Sequence, residues 1–181
     1  DPPVYPGMEY MWDKLHYQPQ LGYGDHTIPE DKQVPLLPQE EREMAMRWDF
    51  SRYVPQVVIL AIGQNDSNPE DYMKEAPEGE KAEHFRETYR KLVKNLRKTY
   101  PEALIVLATT ILNHDKNWDE AIETVYQDLK KEDPLLRHFL YTRKGCGTPG
   151  HIRIPEAEEM SDELAAYIEK TNRELQTPFW V

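Results

Sequence analysis

The chain has 181 residues, with 22 Lys+Arg against 33 Asp+Glu and a formal net charge of −11. That length suits a single domain of roughly 100 to 200 residues, while the acidic balance argues against a nucleic-acid groove or an anionic membrane, both of which need basic surface. No apolar run approaches the roughly 18 residues that span a bilayer, and the single Cys146 excludes an internal disulfide framework.

Eight of the 15 prolines lie in the first 55 residues. Proline fixes φ and removes a backbone donor, so residues 1–45 are expected to be irregular and partly extended, a segment packed on the domain that follows at 46–176. Aromatics recur in it, at Tyr5, Tyr10, Trp12, Tyr17 and Tyr23; they either line a carbohydrate site or hold down a long loop. The chain opens at Asp1 in loop-like sequence without a Met, and its natural N-terminus is expected to be missing.

The pattern changes after Pro55. Gln56 to Ile62 is a continuous β-branched apolar run ending at Gly63, as expected of a strand buried on both faces. Phe85, Tyr89, Leu92, Val93 and Leu96 follow at helical spacing within 81–99, with acids early and bases late, which complements the helix dipole. Ala103 to Ala108 reads as a second buried strand, and Trp118, Ala121, Ile122, Val125 and Leu129 mark a second helix. His138 to Tyr141 reads as a short third strand, and Pro155 to Glu174 as a final helix with proline at a first helical position. This β-α-β-α-β-α order predicts an α/β fold with a parallel sheet and helices on both faces. Three strands are few for such a sheet, so further strands are expected from a missing N-terminal portion or from another chain.

In open α/β sheets, sites form beyond the carboxyl ends of the strands. The loop after the first strand is Gly63-Gln64-Asn65-Asp66-Ser67-Asn68-Pro69: Gly63 permits a tight turn, and Asn65 offers an amide N–H where negative charge develops on a substrate oxygen. Plain turn chemistry explains Asn-Asp equally well. After the third strand, Gly145-Cys146-Gly147-Thr148-Pro149-Gly150-His151 is a loop of unusual backbone ending in a titratable imidazole, which makes His151 a general-base candidate.

Gly63-Gln64-Asn65-Asp66 resembles the G-x-N-D block of SGNH (GDSL-type) hydrolases. The segment from His151 to Met160 is similar to that family's C-terminal block, in which the catalytic His leads into the last helix. The separation of 86 residues between Asn65 and His151 suits the family as well, and the resemblance spans about residues 45–170. The Trp48-Asp49-Phe50-Ser51 lead-in and the Gly-Cys near His151 look most like bacterial carbohydrate acetyl esterases such as carbohydrate esterase family two. The resemblance implies a three-layer α/β/α, flavodoxin-like fold and a serine esterase needing no cofactor or metal, with an acyl, chiefly acetyl, ester of carbohydrate as substrate. It implies that His151 shuttles the proton and that Asn65 stabilises the oxyanion, while Gly63 and Asp66 shape that loop.

Two departures stand out. The family's Gly-Asp-Ser nucleophile block is absent: Gly24-Asp25 is followed by His26 and lies 39 residues before Gly63, too close to hold the intervening strand, helix and Gly block. The three serines are Ser51, Ser67 and Ser161; Ser67 is on the correct edge but is also a plausible turn residue, so the nucleophile is expected from a segment outside this chain. Second, the usual acid three residues before the His is Thr148, so a dyad or a triad completed elsewhere is expected. Gln64, His114 and Trp118 are possible substrate-pocket residues. A nucleophile-less binding module and a lipase or thioesterase of the same superfamily are the alternatives.

Overall fold

The structure, a computed structural model, describes Met8, Trp12, Asp13 and residues 47–109, 111–145, 151–176 and 178–180. It separates into two compact units, Asp1–Val54 and Pro55–Val181. In the first, Trp12 stacks on Phe50 with ring centroids 5.4 Å apart, and Trp48 N donates to Asp13 O at 2.9 Å. A 3-10 turn at Phe50–Arg52 is capped by the Asp49 side chain.

The second unit is a parallel sheet of β1 (Val57–Leu60), β2 (Leu104–Ala108) and β3 (Leu136–Phe139), in that spatial order. The connections carry α1 (Tyr72–Glu75), α2 (Glu80–Thr99) and α3 (Lys116–Leu129), and α4 (Ile154–Glu174) follows β3. β2 is the centre of the sheet and all five of its residues are buried. Alternation splits them between two layers. Leu104, Val106 and Ala108 form a cluster with Phe139 against Leu164, Tyr167 and Ile168 of α4. On the opposite face α2 packs on α3, and α3 on β3.

The helices follow from apolar residues at three- and four-residue spacing. α2 buries Ala82, Phe85, Tyr89, Leu92, Val93 and Leu96, begins with Glu80 and Glu83 and ends with Arg97 and Lys98. α3 buries Trp118, Ala121, Ile122, Val125 and Leu129, and Asp115 caps it by accepting from Asn117 N. Among the described residues no helix is long and apolar enough to cross a membrane.

Two expectations are corrected. β1 stops at Leu60 and is not covered on both faces: Ile59 is 48% exposed. Among the described residues β1 pairs with β2 alone, and the cluster that β2 forms with α4 includes Val57 but not Ile59. The third strand is Leu136–Phe139 rather than His138–Tyr141. Its middle is polar, but Arg137 folds back to Pro134 O at 2.8 Å and His138 Nδ1 bonds Glu123, so both fit a half-buried strand. Leu140, apolar and placed in the strand by its sequence pattern, is 55% exposed.

Candidate active site

All three strands run the same way, so the loops after them share one edge of the sheet. The first loop turns at Gly63, whose φ of +109° is one that side chains rarely adopt. Space matters there too: a Cβ on Gly63 would stand 3.3 Å from Phe85 Cζ and 3.5 Å from Trp118 Cε3. Next comes a 3-10 turn, Asn65–Ser67, closed by Asn68 N donating to Asn65 O at 3.1 Å. Gln64, Asn65 and Asp66 are exposed on it.

Behind this loop lies a supporting layer. Asp71 caps α1 and its Oδ1 accepts from Trp118 Nε1 at 2.9 Å. The buried Trp118 meets Tyr72 and Phe85 edge-on at 5.3 and 5.2 Å. Burial, followed by the charges of Asp66 and Asp71, pushes the Tyr72 hydroxyl well above the ordinary tyrosine range. Asp66 thus belongs to the electrostatic surroundings of α1.

After β2, Leu112 and Gly145 form an isolated parallel bridge, which prolongs the β2–β3 pairing beyond the strands. Gly145 N donates to Ile111 O at 2.7 Å. Both ring nitrogens of His114 are engaged: Nδ1 with Leu112 O at 2.6 Å and Nε2 with Asp119 Oδ1 at 2.5 Å. Lys144 Nζ donates to His114 O. The half-buried His114 and the buried Trp118 are therefore hydrogen-bonded braces of this edge.

His151 is exposed, three residues before Ile154 opens α4. Its neighbour Ile152 sits on Gly145, so closely that a Cβ on Gly145 would come within 2.2 Å of Ile152 Cγ2. Residues 146–150, including Cys146 and Thr148, lie outside the described residues, as do Gly24-Asp25-His26 and Tyr5, Tyr10, Tyr17 and Tyr23. The topology brings the Asn65 loop and the His151 junction to the same edge of the sheet.

Each serine hydroxyl donates within its own turn: Ser51 to Asp49 Oδ1 at 2.6 Å, Ser67 to Gln64 O at 3.1 Å and Ser161 to Glu158 O at 2.9 Å. Ser67 also accepts from Asn68 Nδ2 at 3.2 Å. Among the described residues no three His, Cys, Asp or Glu side chains are grouped to hold a metal ion.

No family model matches the chain. It is 28% identical over 131 residues to the cellulase/esterase CelE of Acetivibrio thermocellus, an alignment covering 68% of this chain and 15% of that protein. It is 40% identical over 93 residues to an acetylxylan esterase / glucomannan deacetylase of Cellvibrio japonicus, covering 51% of this chain and 23% of the relative. Among solved structures, a family two carbohydrate esterase from Clostridium thermocellum in complex with cellohexaose superposes with a TM-score of 0.58 at 25% identity, covering 74% of this chain and 41% of that one. The family two carbohydrate esterase from Cellvibrio japonicus gives 0.56 at 26% identity, covering 69% and 36%. The chain is thus similar to carbohydrate esterases, those of family two among them. It spans less than a quarter of the length of the two relatives compared by sequence, and its α/β sheet has the SGNH hydrolase fold of those esterases.

The groups that brace this edge are hard to single out in the sequence. Asp71 carries a weak signal, as an Asp directly before a helical turn. Asp119, five residues after His114, carries none, because its role depends on the turn at Asp115. Arg143 is likewise silent in the sequence: its Nε and Nη2 donate to Glu159 at 2.8 and 2.5 Å, and its Nη1 reaches Glu156 Oε1 at 3.5 Å. The hydrogen bonds from Arg143 hold the Glu159 carboxyl below the ordinary glutamate range.

Proposed function

We propose that this chain carries the proton-shuttle and oxyanion half of a serine esterase that hydrolyses short acyl, chiefly acetyl, esters of carbohydrate. The observation that carries the reading is the convergence of the Asn65 turn and the His151 junction on the carboxyl edge of one parallel sheet, in a chain similar to carbohydrate esterases.

A serine from a segment outside these 181 residues attacks the ester carbonyl. The Oγ–carbon bond forms as His151 takes the serine proton, and the carbonyl π electrons move to the oxygen. Asn65 and backbone N–H groups stabilise that oxyanion. The intermediate collapses, the alkoxy C–O bond breaks, and His151 returns the proton to the departing sugar hydroxyl. Water then attacks the acyl-serine, again giving a proton to His151, and the carboxylic acid leaves as serine is restored. Placing the nucleophile elsewhere is supported by the three serine hydroxyls, each of which donates inside its own turn.

The test is p-nitrophenyl acetate hydrolysis by the full-length natural protein, by its His151→Ala variant and by the 181-residue chain alone. Turnover is expected from the first, with His151→Ala lowering kcat about 10³-fold or more. Turnover by the isolated chain that His151→Ala removes would overturn the external nucleophile. Undiminished turnover by full-length His151→Ala would overturn the esterase reading. The serine bonds also favour a second reading, a nucleophile-less carbohydrate-binding module, which saturable oligosaccharide binding without hydrolysis by the full-length protein would select.

A further inference from the structure

The His151 junction is tied at both ends by one buried carboxylate. Glu156, in the first turn of α4, has little exposure, and its two oxygens serve two masters. Oε2 accepts from Arg153 N at 3.0 Å, which closes the start of the helix two residues after His151. Oε1 faces Arg143 Nη1 at 3.5 Å, and Arg143 lies eight residues before His151. The guanidinium is oriented by a forked pair to Glu159, one turn further along α4, at 2.8 and 2.5 Å. Planar, two-pronged pairing of this kind fixes direction as well as distance. Arg143 therefore joins the exit of β3 to the start of α4, and in the sequence His151 lies between the two ends that this clamp ties.

We propose that Arg143 is a positioning residue for His151, acting through Glu156 and Glu159. The inference rests on the esterase reading for its consequence in catalysis, but its geometry does not. An imidazole that must reach an attacking hydroxyl and then a leaving oxygen loses rate steeply when its loop is slack, since a displacement near 1 Å costs on the order of 10²-fold. Constraint on the two chain segments that flank His151 therefore bears directly on rate. Arg143 supplies it from a partly exposed position, with its side chain 41% accessible. Replacing it leaves the core untouched.

The test uses the full-length natural protein with Arg143→Ala, Arg143→Lys, Glu159→Gln and His151→Ala. Two readouts are taken: acetyl-ester kinetics, and the NMR signal of the His151 ring Cε1–Hε1 followed through a pH titration, assigned by its loss in His151→Ala. Arg143→Ala is expected to lower kcat about tenfold with KM unchanged, to displace the pH profile and to shift or broaden the His151 signal. Arg143→Lys, which keeps charge without the fork, should recover part of both effects. Glu159→Gln, an exposed change that leaves folding intact, should move both in the same direction by less. A His151 signal and pH profile unchanged in Arg143→Ala and Glu159→Gln would overturn the proposal, even if thermal stability fell. Retention of full activity by His151→Ala would instead sink the esterase reading, and a shifted His151 signal in Arg143→Ala would still support the clamp.

Discussion

Gly145→Ala tests the packing that holds His151 at the sheet edge. The added Cβ would stand 2.2 Å from Ile152 Cγ2 and 2.9 Å from Ile111 O. Ordinary carbon–carbon contact is about 3.5–4.0 Å, so Ile152 must retreat by more than an ångström, and the Ile111 carbonyl is backbone that cannot swing away. Overpacking of this kind costs about 1–3 kcal/mol. With a urea slope of about 1–3 kcal/mol per molar, the unfolding midpoint should fall by roughly 1 M. Ile152 directly follows His151, so the retreat also displaces the imidazole, and esterase kcat in the full-length protein should fall with it. Ile152→Ala removes the first clash and leaves the second. The double variant Gly145→Ala/Ile152→Ala should therefore be less destabilised than the sum of the two singles, with a coupling of about 0.5–3 kcal/mol. Strict additivity, or a Gly145→Ala midpoint equal to wild type, would refute the claim that Ile152 is seated on Gly145.

Gly63→Ala should be destabilising for a different reason. Its φ of +109° is strained for any residue with a Cβ, at a cost of about 1–3 kcal/mol, and Phe85 Cζ at 3.3 Å allows little relief; a chemical-denaturation midpoint at or above wild type would contradict this. The acid limb of stability should depend on Glu83, which accepts from Arg86 Nε at 2.8 Å and Arg90 Nη1 at 3.0 Å. Hydrogen bonds from Arg90 and then Arg86 hold its carboxyl below the usual 4.5. A depressed folded value contributes stability above the unfolded one and loses it as pH falls through the folded value. Free energies of unfolding measured from pH 6 downward should thus decline less steeply in Glu83→Gln than in wild type below about pH 4.5, and parallel curves would count against the pairing.

The sequence was most legible where one element carries its own instructions. The apolar stripes of α2 and α3, the Pro155 start of α4 and the continuous apolar run of β2 are local patterns, and each element lies where its pattern places it. β3 lies two residues earlier than its apolar pattern suggests because Arg137 interrupts that pattern and hides Leu136, whereas in the strand Arg137 turns back to Pro134 O and His138 is satisfied by Glu123 of α3. The exposure of Ile59 was illegible for the converse reason: an apolar run reports what a strand can bury, while neighbours decide what it does bury. The two sheet-edge loops could be identified because Gly63 and the glycine-rich run before His151 declare unusual backbone in their composition.

The bracing of those loops depends on pairs remote in sequence, such as Trp118 with Asp71 and Arg143 with Glu159, and no local rule selects one partner among 33 acidic residues. What distinguishes Glu156 is its position rather than its type. As an acid in the first turn it suits the helix dipole, as do many glutamates. Because it is also buried, each of its oxygens needs a donor, and the N–H of Arg153 and the guanidinium of Arg143 are among those that serve it. Burial thus converts an ordinary helix-capping acid into a tie between two chain segments that bracket His151. The same acidity that first argued against nucleic-acid and membrane surfaces supplies, at this one buried position, the charge that recruits Arg143 to the loop.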